Sequence, residues 1–195
     1  MIRSSRSYLS VLFAVLSLVL VSSVSAFSQQ QASVSNVSIK NFGQMDDRFF
    51  RGGQPKEGEY QELAALGIKT VIDLRDDPKE YEKGSVEALG MKYVNIPMSD
   101  SSYPETTKIE AFLKLVDDPS TGKFYVHCAG GRHRTGVAGA VYRFNHYNWT
   151  YDQVYAEMKK YDFYTRFGHG DMKKFVQDYA TSFQSKSQHI TEGTK

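Results

Sequence analysis

Residues 127–136 read His127-Cys128-Ala129-Gly130-Gly131-Arg132-His133-Arg134-Thr135-Gly136, between the apolar run Phe124-Tyr125-Val126 and the small-residue run Val137-Ala138-Gly139-Ala140. A buried strand that turns at once into a helix of small side chains needs a sheet for the helix to pack against closely. The turn itself has a chemistry. Five residues separate Cys128 from Arg134, enough to wrap a loop around one tetrahedral oxyanion. Gly130 and Gly131 permit backbone conformations that point successive N–H groups inward, forming an anion nest together with Ala129, Arg132 and His133. A helix beginning near Thr135 adds free N–H groups and its positive dipole end. Arg134 supplies a forked guanidinium for two phosphate oxygens, which lysine cannot mimic. The same field favours Cys128 as thiolate, since such surroundings lower a cysteine pKa from about 8.5 to roughly 3.5–7.5. The segment is built to hold a phosphate dianion and to aim a nucleophile at it.

The flanking sequence supplies the sheet. Phe49-Phe50-Arg51 reads as a short strand ending at Gly52-Gly53-Gln54-Pro55, and Thr70-Val71-Ile72-Asp73-Leu74 as a buried one. Met91–Ile96 and Phe124–His127 are two further strands. Helices are expected over 59–66, over 80–89 with a stop at Gly90, and from a capping box of Thr107 and Glu110 through Val116. Three more follow at 135–146, 150–161, capped by Thr150 and Gln153, and 170–183. Strands alternating with helices, then a helical C-terminal part, predict an α/β three-layer sandwich around a central, mainly parallel sheet.

Arg3 and Arg6, an apolar run from Leu9 to Val21 and a small-residue exit at Val24-Ser25-Ala26 read as a secretory signal peptide over residues 1–26. The run is too short for a membrane span, which needs about 20 apolar residues. The protein is therefore expected to be exported, periplasmic or extracellular, with no stable membrane anchor after cleavage. Residues 27–39 read as a polar linker, 40–183 as the domain and 184–195 as a flexible tail. The formal charge of +2 comes from the leader; the remainder holds 22 basic and 22 acidic residues and gives no electrostatic reason to bind nucleic acid. Cys128 is the single cysteine, which excludes an intramolecular disulfide framework and a zinc ribbon. The five histidines are scattered without metal-ligand spacing, and neither a Walker loop nor a dinucleotide glycine pattern occurs. No metal and no cofactor are expected.

Cys-X5-Arg, preceded by His127 and followed by Thr135-Gly136, resembles the signature of cysteine-dependent protein tyrosine and dual-specificity phosphatases. Phe50-Arg51-Gly52-Gly53-Gln54-Pro55, Thr70–Arg75 and Asn95-Ile96-Pro97-Met98 look like landmarks of that family in its order. The resemblance implies that Cys128 attacks phosphorus and forms a thiophosphate intermediate, while Arg134 binds the phosphoryl oxygens. It further implies that Thr135 helps the thiolate leave and that His127 orients and tunes the cysteine. The leaving group needs a proton, so a general acid is expected on a nearby loop. Asp100 in Met98-Ser99-Asp100-Ser101-Ser102-Tyr103-Pro104 is the choice; Asp76, Asp77, Asp46 and Asp47 fit less well and read as turn residues or caps. Arg51 and Arg75 read as partners in structural ion pairs.

Gly131-Arg132-His133-Arg134-Thr135-Gly136 is similar to the loop of plant and fungal atypical dual-specificity phosphatases, and Asn148-Trp149-Thr150 to their downstream segment. That likeness makes an inositol phosphate, including a pyrophosphate, a rival to a phosphorylated protein as substrate. Arg132 and His133 are expected to add charge at the pocket mouth. A silent phosphate-binding module would keep the nest and lose the nucleophile, the arginine or the acid; all three are present. A rhodanese-type sulfurtransferase or an arsenate reductase also uses a loop cysteine, but His127 and the Arg134-Thr135-Gly136 exit favour the phosphatase.

Overall fold

Neighbouring residues of each apolar run point to opposite sides of one sheet, and both sides are buried. The computed structural model describes residues 36–192. Five strands, β1 (Gly43–Gln44), β2 (Phe49–Gly52), β3 (Thr70–Arg75), β4 (Lys92–Met98) and β5 (Phe124–His127), lie in the spatial order β1-β2-β5-β3-β4. β1 pairs antiparallel with β2; the pairs β2–β5, β5–β3 and β3–β4 are parallel. Phe49, Ile72, Phe124 and Val126 face one core, packed against α3 (Thr106–Asp117), α4 (Arg134–Tyr147), α5 (Tyr151–Lys160) and α6 (Gly170–Glu192). Phe50, Val71 and Tyr125 face a second core with Tyr60 and Leu63 of α1 (Tyr60–Ala65) and Val86 of α2 (Glu80–Ala88). The result is the expected three-layer α/β sandwich, with helices on both faces of a mainly parallel sheet.

Several local expectations are corrected. β1 has too short a run to be legible from periodicity and exists because it pairs with β2 at the sheet edge. Helix α3 begins at Thr106 with Glu105 as its N-cap and no side-chain cap, so Thr107 lies inside the first turn and forms no capping box with Glu110. Thr150 and Gln153 do form one at the start of α5. The segment read as a linker already belongs to the domain at its end: Ile39 is buried in the second core and Ser38 bonds Glu62 through its backbone N–H (2.7 Å) and hydroxyl (2.6 Å). Helix α6 runs on to Glu192, past the residue where a flexible tail was expected to start; Ser, Gln and Lys are polar, but no Gly or Pro interrupts the helix there. The export signal read over residues 1–26 lies outside the described residues.

Candidate active site

Because β2, β5, β3 and β4 are parallel, the segments leaving their carboxyl ends meet at one edge of the sheet: Gly53-Gln54, Cys128, Asp76 and Ser99-Asp100. Binding crevices of open α/β sheets form at this edge. β5, flanked by β2 and β3, places Cys128 near the middle of it.

The loop that follows turns its carbonyls outward. Ala129 O accepts from the Gln54 N–H (3.3 Å) and Gly130 O from Asn41 Nδ2 (3.3 Å). Gly131 O takes both Asn41 Nδ2 (3.0 Å) and Arg51 Nη2 (2.7 Å). In trans peptides the N–H groups then face the opposite way, toward the side of the Cys128 sulfur, on which the Arg132 N–H acts. Gly131 has φ +67°, and a Cβ there would collide with the Gly52 carbonyl and Gly53 N. Gly130 has ordinary room for a Cβ, so only one of the two glycines is demanded by the turn. Helix α4 starts at Arg134, and its first intrahelical acceptors are the Arg132 and His133 carbonyls.

Cys128 is buried. Burial alone would push its thiol up, but the Thr135 hydroxyl and N–H, the Arg134 charge and the Arg132 N–H outweigh it and bring the pKa below the usual thiol value. The Thr135 hydroxyl is fully buried with no other hydrogen-bond partner among the described residues, and it acts on the Cys128 sulfur. Arg134 Nη1 donates to Met98 O (3.1 Å) and to Asp76 Oδ1 (2.7 Å), so its guanidinium is held in a fixed position. A thiol favoured as thiolate, inward N–H groups and a fixed guanidinium in one loop can bind a tetrahedral dianion and attack it in line.

Residues 22–178 match the model of the family described as "DSP-PTPase phosphatase fused to NAD+ Kinase". The chain belongs to this family. Among curated relatives, it is 30% identical over 128 residues to the "Probable tyrosine-protein phosphatase DG1060" of Dictyostelium discoideum, covering 62% of this chain and 75% of that one. It is 26% identical over 159 residues to the inositol diphosphatase DSP2 of Oryza sativa subsp. japonica, covering 77% and 74% respectively. Among solved structures, the core catalytic domain of the PP-IP phosphatase SIW14 from S. cerevisiae superposes with a TM-score of 0.63 at 19% identity, covering 78% of this chain and 94% of that domain. The chain is thus a cysteine-dependent phosphatase of the tyrosine and dual-specificity type, with the fold of that group.

In this phosphatase the residues proposed from sequence are not all gathered. Cys128, Arg134, Thr135 and residues 129–133 are brought together by one buried strand-to-helix turn. Asp100 lies on the loop after β4, exposed, and its carboxylate makes no hydrogen bond or ion pair among the described residues; its carbonyl is bonded to His169 Nδ1 at 2.8 Å. Asp76, read as a turn residue, is instead the carboxylate in contact with Arg134. His133 does not add charge to the mouth. Its ring stacks on His169 with centroids 3.5 Å apart, and burial together with His169 pushes its pKa down to about 4, leaving it neutral near pH 7. Arg132 is the cation there, 3.5 Å from Asp162 and beside a hollow of about 450 Å3 that Lys159, Phe163 and Tyr164 also line.

Arg75 does form an ion pair, with Asp77. Arg51 forms none among the described residues: fully buried, it supports the loop through Gly131 O and lies 3.9 Å over the Tyr161 ring. Burial lowers its pKa to about 10, still well above neutrality. Asn41 has φ +57° and ties the loop to Tyr161 O (3.0 Å) as well. No local pattern marks Asn41, because its role depends on contacts some 90 and 120 residues away in the chain.

Asp73, Glu82 and His127, all fully buried, bring ligand-type atoms within 4.8 Å of one another, a grouping hidden in the sequence. The two carboxylates each have further partners. Asp73 accepts from the Arg75 N–H (2.8 Å) and the Tyr93 hydroxyl (3.0 Å), and Glu82 from Gln54 Nε2 (2.9 Å). The cluster reads as a buried ionic network rather than a vacant coordination site.

Proposed function

We propose that this protein is an exported phosphomonoesterase that works through a thiophosphate on Cys128. The Cys128 thiolate attacks phosphorus, a sulfur–phosphorus bond forms and the ester oxygen leaves, taking a proton from Asp100. Water then attacks the thiophosphate, gives its proton to Asp100, and releases inorganic phosphate and the thiolate. Arg134 and the inward N–H groups hold the phosphoryl oxygens through both steps, and Thr135 assists the departing sulfur. The observation that carries this reading is the lowered thiol pKa of buried Cys128 in a loop whose carbonyls are turned outward.

A polyphosphorylated inositol is the second reading of the substrate. It is favoured by the Arg132–Lys159 hollow beside the loop, which offers cations to a second phosphate, and by the relative named inositol diphosphatase. The protein's partners are accordingly a phosphorylated protein or an inositol phosphate.

Phosphate release from a phosphotyrosine peptide, a phosphoserine peptide and an inositol polyphosphate, with wild type and Cys128→Ser, tests both readings. Turnover lost in Cys128→Ser is expected, and the preferred substrate separates the two. Turnover retained in Cys128→Ser overturns the mechanism. Sequencing the N-terminus of the protein recovered outside the cytoplasm tests export: cleavage after Ala26 is expected, and retention of residues 1–26 inside the cell overturns it.

A further inference from the structure

Strand alternation turns the His127 side chain toward the second core, on the same side as Tyr125, whose ring it stacks on at 5.7 Å. The ring is flanked by two fully buried carboxylates: Glu82 Oε1 is 2.7 Å from Nε2, and Asp73 Oδ1 is 3.8 Å from Nδ1. At 2.7 Å the two groups hold a proton between them, and with Glu82 held below and His127 raised above their usual values that proton belongs to the ring. The oxygen lies off the N–H direction, and neither ring nitrogen makes an aligned hydrogen bond. Charge, rather than a directed bond, holds the ring in place.

The two carboxylates are not equivalent. Burial pushes Asp73 up toward its neutral form, with Glu82 adding to the push. Glu82 is buried as well, but the contact and charge of His127, the Gln54 amide and the Tyr60 hydroxyl bring its pKa below the usual carboxylate value. Burial opposes a charged His127, yet Glu82, then Asp73 and Cys128, outweigh it and raise the ring's pKa. Glu82 is therefore the anion that answers the imidazolium.

We propose that Glu82 is a positioning residue that keeps His127 protonated and thereby sets the thiolate population of Cys128. The proposal rests on the reading of Cys128 as nucleophile. On the loop side the thiolate is supported by Arg134, by the Thr135 hydroxyl and N–H, and by the Arg132 N–H; from β2 the Arg51 cation also acts on it. Tyr125, on β5, is a fully buried phenol held neutral by desolvation. The loop-side groups are the ones a bound phosphate dianion must share, so their support for the thiolate weakens when substrate arrives. His127 lies on the opposite side of the sheet from the Cys128 core and is not shared. A cation kept there by Glu82 holds the sulfur ionised with the dianion already in place. Gln54 extends the network to the loop edge: its Nε2 reaches Glu82 and its Oε1 accepts from Arg75 Nη1 (3.1 Å), next to Asp76.

Cys128 is the single cysteine, so alkylation of the full chain by iodoacetamide reads its thiolate directly, whether or not it turns over phosphate. Glu82→Gln is expected to move the midpoint of the alkylation–pH profile upward by about one unit, the low end of the range for losing a nearby opposite charge. The acid limb of kcat should move with it. Glu82→Asp, which restores the charge, should return both toward wild type. Glu82→Gln in a His127→Gln background should shift nothing further, because the effect passes through the ring. Profiles that coincide with wild type, that move to lower pH, or that shift equally without His127 overturn the proposal. Nitrogen-15 shifts of His127 in the wild-type protein give the same answer without any variant: a neutral ring at pH 7 overturns it. Failure of the nucleophile reading is distinguishable, since Cys128→Ser would then retain turnover.

Discussion

Arg134, which closes the loop after Cys128, is bonded to Asp76 at 2.7 Å through Nη1, and the same nitrogen also donates to Met98 O at 3.1 Å. Asp76 sits on the segment leaving β3, with a half-exposed side chain, and its carboxylate occupies one face of the guanidinium that the phosphate needs. A substrate dianion has to displace that carboxylate or share the guanidinium with it. Asp76→Asn is therefore expected to tighten competitive inhibition by inorganic phosphate by up to about fivefold, the worth of a half-exposed ion pair of up to ~1 kcal/mol. Phosphate inhibition constants measured side by side check it; unchanged or weaker inhibition contradicts it.

Asp100 and Asp76 make opposite predictions as general acids. With Asp100 in that role, Asp100→Asn lowers kcat about 10²-fold or more on an alkyl phosphate, whose leaving group must be protonated. The loss should be far smaller on an aryl phosphate with an acidic phenol. Asp76→Asn should show no such dependence on the leaving group. The reverse pattern would assign the proton to Asp76.

Gly131 and Gly130 differ in what they tolerate. Gly131→Ala places a Cβ against the Gly52 carbonyl and imposes a left-handed φ on a residue with a side chain. It is expected to cost more than about 1 kcal/mol of stability and to weaken phosphate binding. Gly130→Ala has room and should melt close to wild type. Thermal melts of the two variants, with and without phosphate, test the contrast.

Asp46 links stability to pH. Its Oδ1 accepts from the Arg48 and Phe49 N–H groups (2.8 and 2.7 Å), and its Oδ2 from the Tyr142 and Tyr147 hydroxyls (2.8 and 2.7 Å). Burial opposes the charge, but these four donors outweigh it and hold the folded pKa below 3.8. A depressed carboxylate stabilises the fold above its unfolded pKa and loses that contribution as pH falls through the folded value. Asp46→Asn should thus destabilise the protein at pH 7 by about 1–2 kcal/mol, and the difference should narrow below about pH 4. Denaturant titrations at both pH values measure it.

The sheet, its parallel character and the strand–loop–helix that carries Cys128 were legible because they follow from short-range rules. Phe49-Phe50, Val71-Ile72 and Phe124-Tyr125 are apolar on both faces, as a sheet covered by helices on both sides requires. The caps at Thr150 and Gln153 are likewise local chemistry. Cys128, Ala129, Gly130, Gly131, Arg132, His133 and Arg134 lie in one continuous segment, so their grouping needed no knowledge of the fold.

What the sequence by itself determined is therefore the continuous Cys128–Arg134 loop and the two-sided sheet that presents it. Tertiary structure alone decided what surrounds the loop. Asp76 meets Arg134 across 58 residues, Asn41 meets Gly131 across 90, and Glu82 meets His127 from a helix on the far face of the sheet. His133 reads as a cation until His169 stacks on it and burial removes its charge. Whether an ionisable group is charged depends on its distance to other charges and to water. Those distances are set by which strands lie side by side, and no spacing along the chain encodes them.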